Sequence, residues 1–206
     1  MDALRCGAFA LFTLFSSLAY SQDVPNPSPY AIQTNLEVRV SGLPSLKAQS
    51  GEAPDVLATA LATVFRDKDL CCERNSALED RLPQSDPVSL KEVAAKLQGR
   101  QLRSDGRPIL IKAELFTPES VNSGQLISEI RDQHAPLMVW NSHLYVVSGA
   151  VYDEAFYNDG TQTYVIRKIL LLDPRYSDSR RQISFARDTD DLSKVQGILF
   201  LSVVPQ

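Results

Sequence analysis

Three residues suited to nucleophilic acyl chemistry occur along this chain: Cys72, His143 and Asp173. A thiolate attacks acyl carbonyls readily, and a helix N-terminus or a neighbouring imidazolium drives a thiol towards that form. Cys72 stands where a helix is expected to begin, and it follows Arg66 and Lys68, whose positive charge acts in the same sense. A histidine held by a carboxylate supplies the base, because the carboxylate fixes the ring tautomer and stabilises the charged ring. Each residue also has an ordinary reading. Cys71 and Cys72 suit small buried apolar positions, and Asp173-Pro174 suits the end of a strand. The order of the three, a cysteine before a helix, a histidine opening a strand and an aspartate ending the next, is what points to chemistry.

The elements that must position them follow from periodicity. Alternation from His143 to Asp153 and from Thr163 to Asp173 gives two strands, joined across the turn signal Asn158-Asp159-Gly160. A turn centred near Asn158 or Asp159 sets His143 opposite a residue between Asp173 and Tyr176, so the imidazole and the Asp173 carboxylate meet at one end of a sheet. Each step of register moves the partner by about 3.3 Å. A helix is expected from Cys72 to Leu82, with Cys72 at its start.

Other elements frame these. Ile32 to Val40 alternates as a first strand, ended by Gly42 and Pro44. Asp55 to Phe65 places Val56, Leu57, Ala60, Leu61, Val64 and Phe65 on one helical face. Leu90 to Gln98 is the best-marked helix, with Ser89 and Glu92 as a capping box and Gly99 as its stop. Pro108 to Leu115 reads as a strand, and a helix carrying Leu126, Ile127 and Ile130 follows Thr117-Pro118. Leu137 to Trp140, Gln182 to Ala186 and Gly197 to Val204 complete the strands, and Trp140, Tyr145 and Tyr152 either line a cleft or, as aromatics in strands more often do, pack in the core. Helices concentrated in the first half and strands in the second predict an α+β fold.

The chain ends bound the working unit. Arg5, the apolar run Cys6 to Phe15 and the closing Ala19-Tyr20-Ser21 are the three parts of a secretory signal, with cleavage expected before Gln22. Residues 22–29 carry alternate prolines and read as an extended tether, which leaves 30–206 as one domain. The expected address is secreted or periplasmic. Cleavage removes Cys6, so the mature chain keeps only the vicinal pair Cys71 and Cys72, as free thiols or as a strained small-ring disulfide.

A formal charge of -4 offers no basic stripe for nucleic acid, and no stretch long and apolar enough for stable membrane association follows the signal. No metal or cofactor is called for. His134 and His143 are the only histidines and form no spaced ligand motif, with His134 at the polar end of a helix. Asp188, Asp190 and Asp191 lack the spacing of a calcium loop and read as a solvated one. P-loop, dinucleotide and nucleophile-elbow motifs are absent.

Three segments carry a family resemblance: Leu70-Cys71-Cys72-Glu73-Arg74-Asn75-Ser76-Ala77, then Pro136 through His143 to Val147, then Leu170-Leu171-Leu172-Asp173-Pro174. Together they resemble the papain-like cysteine peptidase superfamily, in particular its C39-like bacterial branch. The resemblance implies a papain-like fold, with an N-terminal helical part packed on a C-terminal antiparallel sheet. It implies Cys72 as nucleophile, with Cys71 as the competing choice, His143 as general base and Asp173 as its orienting partner. The implied activity is hydrolysis of a peptide or amide through a thioester. Transfer of the acyl group to another acceptor, or a noncatalytic secreted module on a degenerate papain-like fold, are the alternatives. Where such enzymes carry an oxyanion glutamine, this chain reads Val64-Phe65-Arg66-Asp67-Lys68, and the glycine that often accompanies a C39-type cysteine is missing. Loss of one oxyanion donor costs about 2.7 to 4 kcal/mol.

Overall fold

The computed structural model describes residues 28–43, 56–66, 88–102, 107–117, 120, 122–175, 180–184 and 194–205. The expected signal peptide, most of the expected tether, the helix expected from Cys72 to Leu82 and the acidic stretch from Asp188 to Asp191 lie outside them. The described chain is mixed α+β: an eight-stranded sheet with three helices. Among the described residues no helix is long and apolar enough to cross a membrane.

Strand β5 (His143–Phe156) organises the sheet. Its valines and aromatics suit a pleated, buried surface, and residues 144 to 147 are buried on both faces. Along one edge it pairs with β6 (Gln162–Leu172). The other edge is shared between β4 (Leu137–Trp140), which takes the first residues of β5, and β1 (Ala31–Arg39), which takes the last. The remaining strands are β2 (Gly99–Leu102), β3 (Pro108–Phe116), β7 (Arg180–Ser184) and β8 (Val195–Pro205). They extend the sheet to the order β2-β3-β8-β4-β5-β6-β7, and every pairing is antiparallel.

The helices are amphipathic covers for this sheet. In α1 (Val56–Arg66), Leu57, Ala60, Leu61 and Val64 are buried, the spacing of one helical face, and the helix packs on β5. In α2 (Leu90–Leu97), Ser89 accepts the Glu92 N–H, and Leu90, Val93 and Leu97 are buried towards β3 and β8. Gly99 follows at φ 106°, a conformation that ends the helix and turns the chain into β2. The α3 helix (Ser123–Arg131) begins at Asn122, which accepts the Gly124 N–H, and buries Leu126, Ile127 and Ile130 against β1, β5 and β6. It ends in a Schellman arrangement, Gln133 N–H to Ile130 and His134 N–H to Glu129, with Gln133 at φ 64°. The His134 ring lies 2.6 Å from the Glu129 carboxylate, at the polar end of the helix as its position suggested.

The segregation of helices before strands holds only in part. β1 and β2 come from the first half of the chain and join the same sheet, α3 comes from the second half, and β2 was not expected. It forms because Gln98 and Gln101 tie the end of α2 to this edge: Gln98 Oε1 accepts the Ala113 N–H, and Gln101 Nε2 donates to the Lys96 and Leu97 carbonyls.

Two bulges shape the β5–β6 ladder. Ser148 is the extra residue on β5 and Arg167 the extra residue on β6. A third irregularity lies on β1, where Asn35 adopts φ 56°. The Asp153 carboxylate ties two of the three together, accepting the Asn35 N–H at 3.0 Å through Oδ1 and the Arg167 Nε at 2.7 Å through Oδ2. The Arg167 bonds and then the Asn35 amide hold this carboxyl below the usual range.

A depressed carboxyl stabilises the fold above its unfolded pKa, and that contribution disappears as pH falls through the folded value. Asp153→Asn is therefore expected to cost about 1.5 to 3 kcal/mol at neutral pH, the gap to wild type closing in acid. Urea unfolding across pH measures this, and a gap independent of pH would contradict it. At Gly149, beside the first bulge, a Cβ would stand 2.5 Å from the Val38 carbonyl oxygen of β1. Gly149→Ala is expected to force β1 off β5 at a cost of about 1 to 3 kcal/mol, read by the same unfolding; unchanged stability would refute the close approach.

Candidate functional site

The β4–β5 turn places the histidine. Trp140 pairs with His143, leaving Asn141 and Ser142 as a two-residue turn with φ 50° and 62°. Two positive φ values are the signature of a type I′ turn, whose twist matches its strands. His143 thus opens β5 at one end of the sheet, half-buried.

The β5–β6 turn places its counterpart. The Tyr157 N–H donates to the Thr161 carbonyl and the Gly160 N–H, with Gly160 at φ 83°, donates to the Tyr157 carbonyl, while Asp159 accepts the Thr161 N–H and hydroxyl. The ladder runs from there to Val146 opposite Leu172. Continued in step, it sets Tyr145 opposite Asp173 and His143 opposite Arg175. The window predicted for the partner of His143, Asp173 to Tyr176, contains the observed residue. It is the arginine and not the aspartate.

Asp173 has no solvent exposure. An isolated buried carboxylate is strongly disfavoured, and Arg175 neutralises it in fork geometry: Nε to Oδ1 at 2.8 Å and Nη2 to Oδ2 at 2.7 Å. The Arg175 N–H also donates to Oδ1 at 3.1 Å, closing an Asx-type turn through Pro174. Arg181 Nε, on β7, lies 3.8 Å from Oδ2. The hydrogen bond to Asp173 raises the Arg175 pKa above its ordinary value, against the opposing effect of burial.

The same guanidinium reaches His143. Its Nη1 is 3.0 Å from His143 Nδ1, its Nη2 donates to the Tyr145 hydroxyl at 3.4 Å, and its carbon lies 5.8 Å from the Tyr145 ring centre. A guanidinium only donates, so Nδ1 is the acceptor and the neutral ring carries its proton on Nε2. Tyr145 in turn packs against half-buried Trp140, the rings tilted by 52° with 5.8 Å between centroids. Tyr145 and Tyr152 are core aromatics with hydrogen-bonded tips, Tyr152 receiving Arg131 Nη2 at 2.7 Å.

His143 and Asp173 therefore share one end of the sheet, with Arg175 bridging them. Cys72 and its competitor Cys71 lie outside the described residues. Sequence reasoning missed Arg175, although it stood within the register window and two residues after the aspartate. The missing signal was electrostatic: a carboxylate at the buried end of a strand requires a cation nearby. No family model matches the chain, and no curated protein is significantly similar to it.

Removing the carboxylate strands the guanidinium. Asp173→Ala is expected to lower the unfolding free energy by about 3 to 5 kcal/mol, and Asp173→Asn by less, because its amide oxygen still accepts from Arg175. Urea denaturation tests both, and an Asp173→Ala variant as stable as wild type would show that the ion pair does not organise this corner.

Proposed function

We propose that this protein is a secreted or periplasmic cysteine hydrolase of the papain-like type, C39-like in layout, acting on a peptide or amide. The observation that supports this reading is the convergence of His143 and Asp173, thirty positions apart in sequence, at one end of the sheet with a single guanidinium between them. Two turns and a ladder set by independent sequence signals bring this about.

In the proposed reaction His143 takes the Cys72 thiol proton and the thiolate attacks the acyl carbonyl. The tetrahedral oxyanion collapses to a thioester, and the leaving amine departs with the proton from the imidazolium. Water then attacks the thioester with His143 as base, releasing the carboxylic acid and restoring the thiol. An acceptor other than water would make the same residues a transferase. Val64 to Lys68 offers no glutamine to bind the oxyanion, so a backbone N–H or another side chain supplies that role.

A second reading, a noncatalytic binding module on a degenerate papain-like fold, is favoured by one observation: Arg175 occupies the ring nitrogen that an orienting carboxylate would take. Turnover of a fluorogenic acyl-amide panel by the mature chain separates the two. On the enzymatic reading, Cys72→Ala and His143→Ala each lower turnover by about a hundredfold or more while the circular dichroism spectrum is unchanged. Turnover indifferent to both substitutions would exclude this assignment.

A further inference from the structure

We propose that Arg175 is a latch on the candidate site, a positioning residue whose guanidinium holds His143 and Asp173 apart in the resting protein and must withdraw before the two can pair. The proposal rests on the hydrolase reading for its catalytic consequence, but the latch itself is a property of the geometry.

Three observations carry it. First, Arg175 engages both residues at once: its Nε and Nη2 face take the two carboxylate oxygens and its Nη1 faces His143 Nδ1. A histidine acting as base with a carboxylate behind it needs an N–H on the nitrogen that faces the carboxylate. Here that nitrogen faces a donor, so the proton sits on Nε2 and the ring is in the opposite tautomer.

Second, withdrawal does not strand the buried charge. Arg181 Nε already stands 3.8 Å from Asp173 Oδ2, and its side chain is half-exposed and free of the fork geometry that fixes Arg175. Movement of Arg181 by about an ångström brings it within hydrogen-bond distance, and in the open state we propose His143 Nδ1–H as the second donor. On this proposal the carboxylate exchanges its observed donors on Arg175 for an open set made of Arg181 and His143. That is the two-state element a latch requires.

Third, the latch can be reached. The Arg175 side chain keeps 25% of its exposure, while Asp173 keeps none. The open state moves the more exposed member and leaves the buried one in place.

The test uses the mature full-length chain labelled with ¹⁵N-histidine, in wild type, Arg175→Gln and Arg175→Lys. Only two histidines are present, and His143→Gln assigns the signals. In wild type, the His143 Nδ1 resonance is expected in the range of an unprotonated ring nitrogen. In whichever variants keep the wild-type circular dichroism spectrum, Nδ1 is expected to become protonated; lysine retains a cation for Asp173 but lacks the planar fork that spans both partners. A wild-type ring already protonated on Nδ1 overturns the latch without any variant, as does a folded variant with unchanged tautomer. The alkylation rate of Cys72 by iodoacetamide is read on the same samples. A rise of about tenfold or more, the change expected for a thiol that ionises one pH unit lower, supports the latch and the hydrolase together. A tautomer change with no rise in alkylation upholds the latch and sinks the hydrolase reading.

Discussion

Strand β5 is the constraint on which the described structure depends. Every backbone donor and acceptor along a buried strand needs a partner, and β5 finds its partners on one side in β6 alone and on the other in two strands from distant parts of the chain. The handover from β4 to β1 happens where Pro136 and Val40 meet the bulged stretch: the Val147 N–H donates to the Pro136 carbonyl, and the Val40 N–H donates to Ser148. Gly149, lacking a Cβ, lets β1 come in close immediately afterwards. Once β5 is fixed, its first residue stands at one end of the sheet and the corner of His143, Arg175 and Asp173 is assembled.

Charge in this fold is managed by a few arginines, two of which serve several groups each. Arg175 serves a fully buried carboxylate, an imidazole and a tyrosine. Arg131, at the end of α3, lies 5.5 Å from the ring centres of both Tyr152 and Tyr164 and reaches Glu154 at 3.5 Å. Arg167 projects from a bulge onto Asp153. Arg131 sets its planar guanidinium against aromatic faces and Arg175 spans a pair of carboxylate oxygens, which an ammonium would do less well, while Arg167 directs Nε and Nη2 to the one oxygen Oδ2 of Asp153. The acidic side chains of β5 are tolerated on a mostly buried strand because these cations come from neighbouring elements.

Much of the fold was legible in the sequence because the local signals agreed with one another. Ser89 with Gly99 marked α2, Leu126, Ile127 and Ile130 marked α3, and Asn158-Asp159-Gly160 marked the hairpin that fixes the register of β5 on β6. What escaped was non-local. β2 forms from a four-residue segment with no alternation of its own, held by glutamines at the end of α2. The strand order, with β8 inserted between β3 and β4, depends on burial across the whole sheet and leaves no trace in any one window. For the site, spacing brought His143 to within two residues of its observed partner. It said nothing about which of the side chains from Asp173 to Tyr176 would turn inward, because burial of a carboxylate is decided by the cations around it.

The paired bulges have a further consequence. Ser148 adds one residue to β5 and Arg167 adds one to β6, so the two irregularities cancel and the ladder beyond them returns to the phase set at the Asn158–Gly160 turn. Since a strand has a period of two, either insertion alone would invert the facing of every residue between it and the sheet end. The chain thus carries a form of parity: single insertions or deletions in this hairpin scramble the histidine corner, whereas matched changes on the two strands leave it intact.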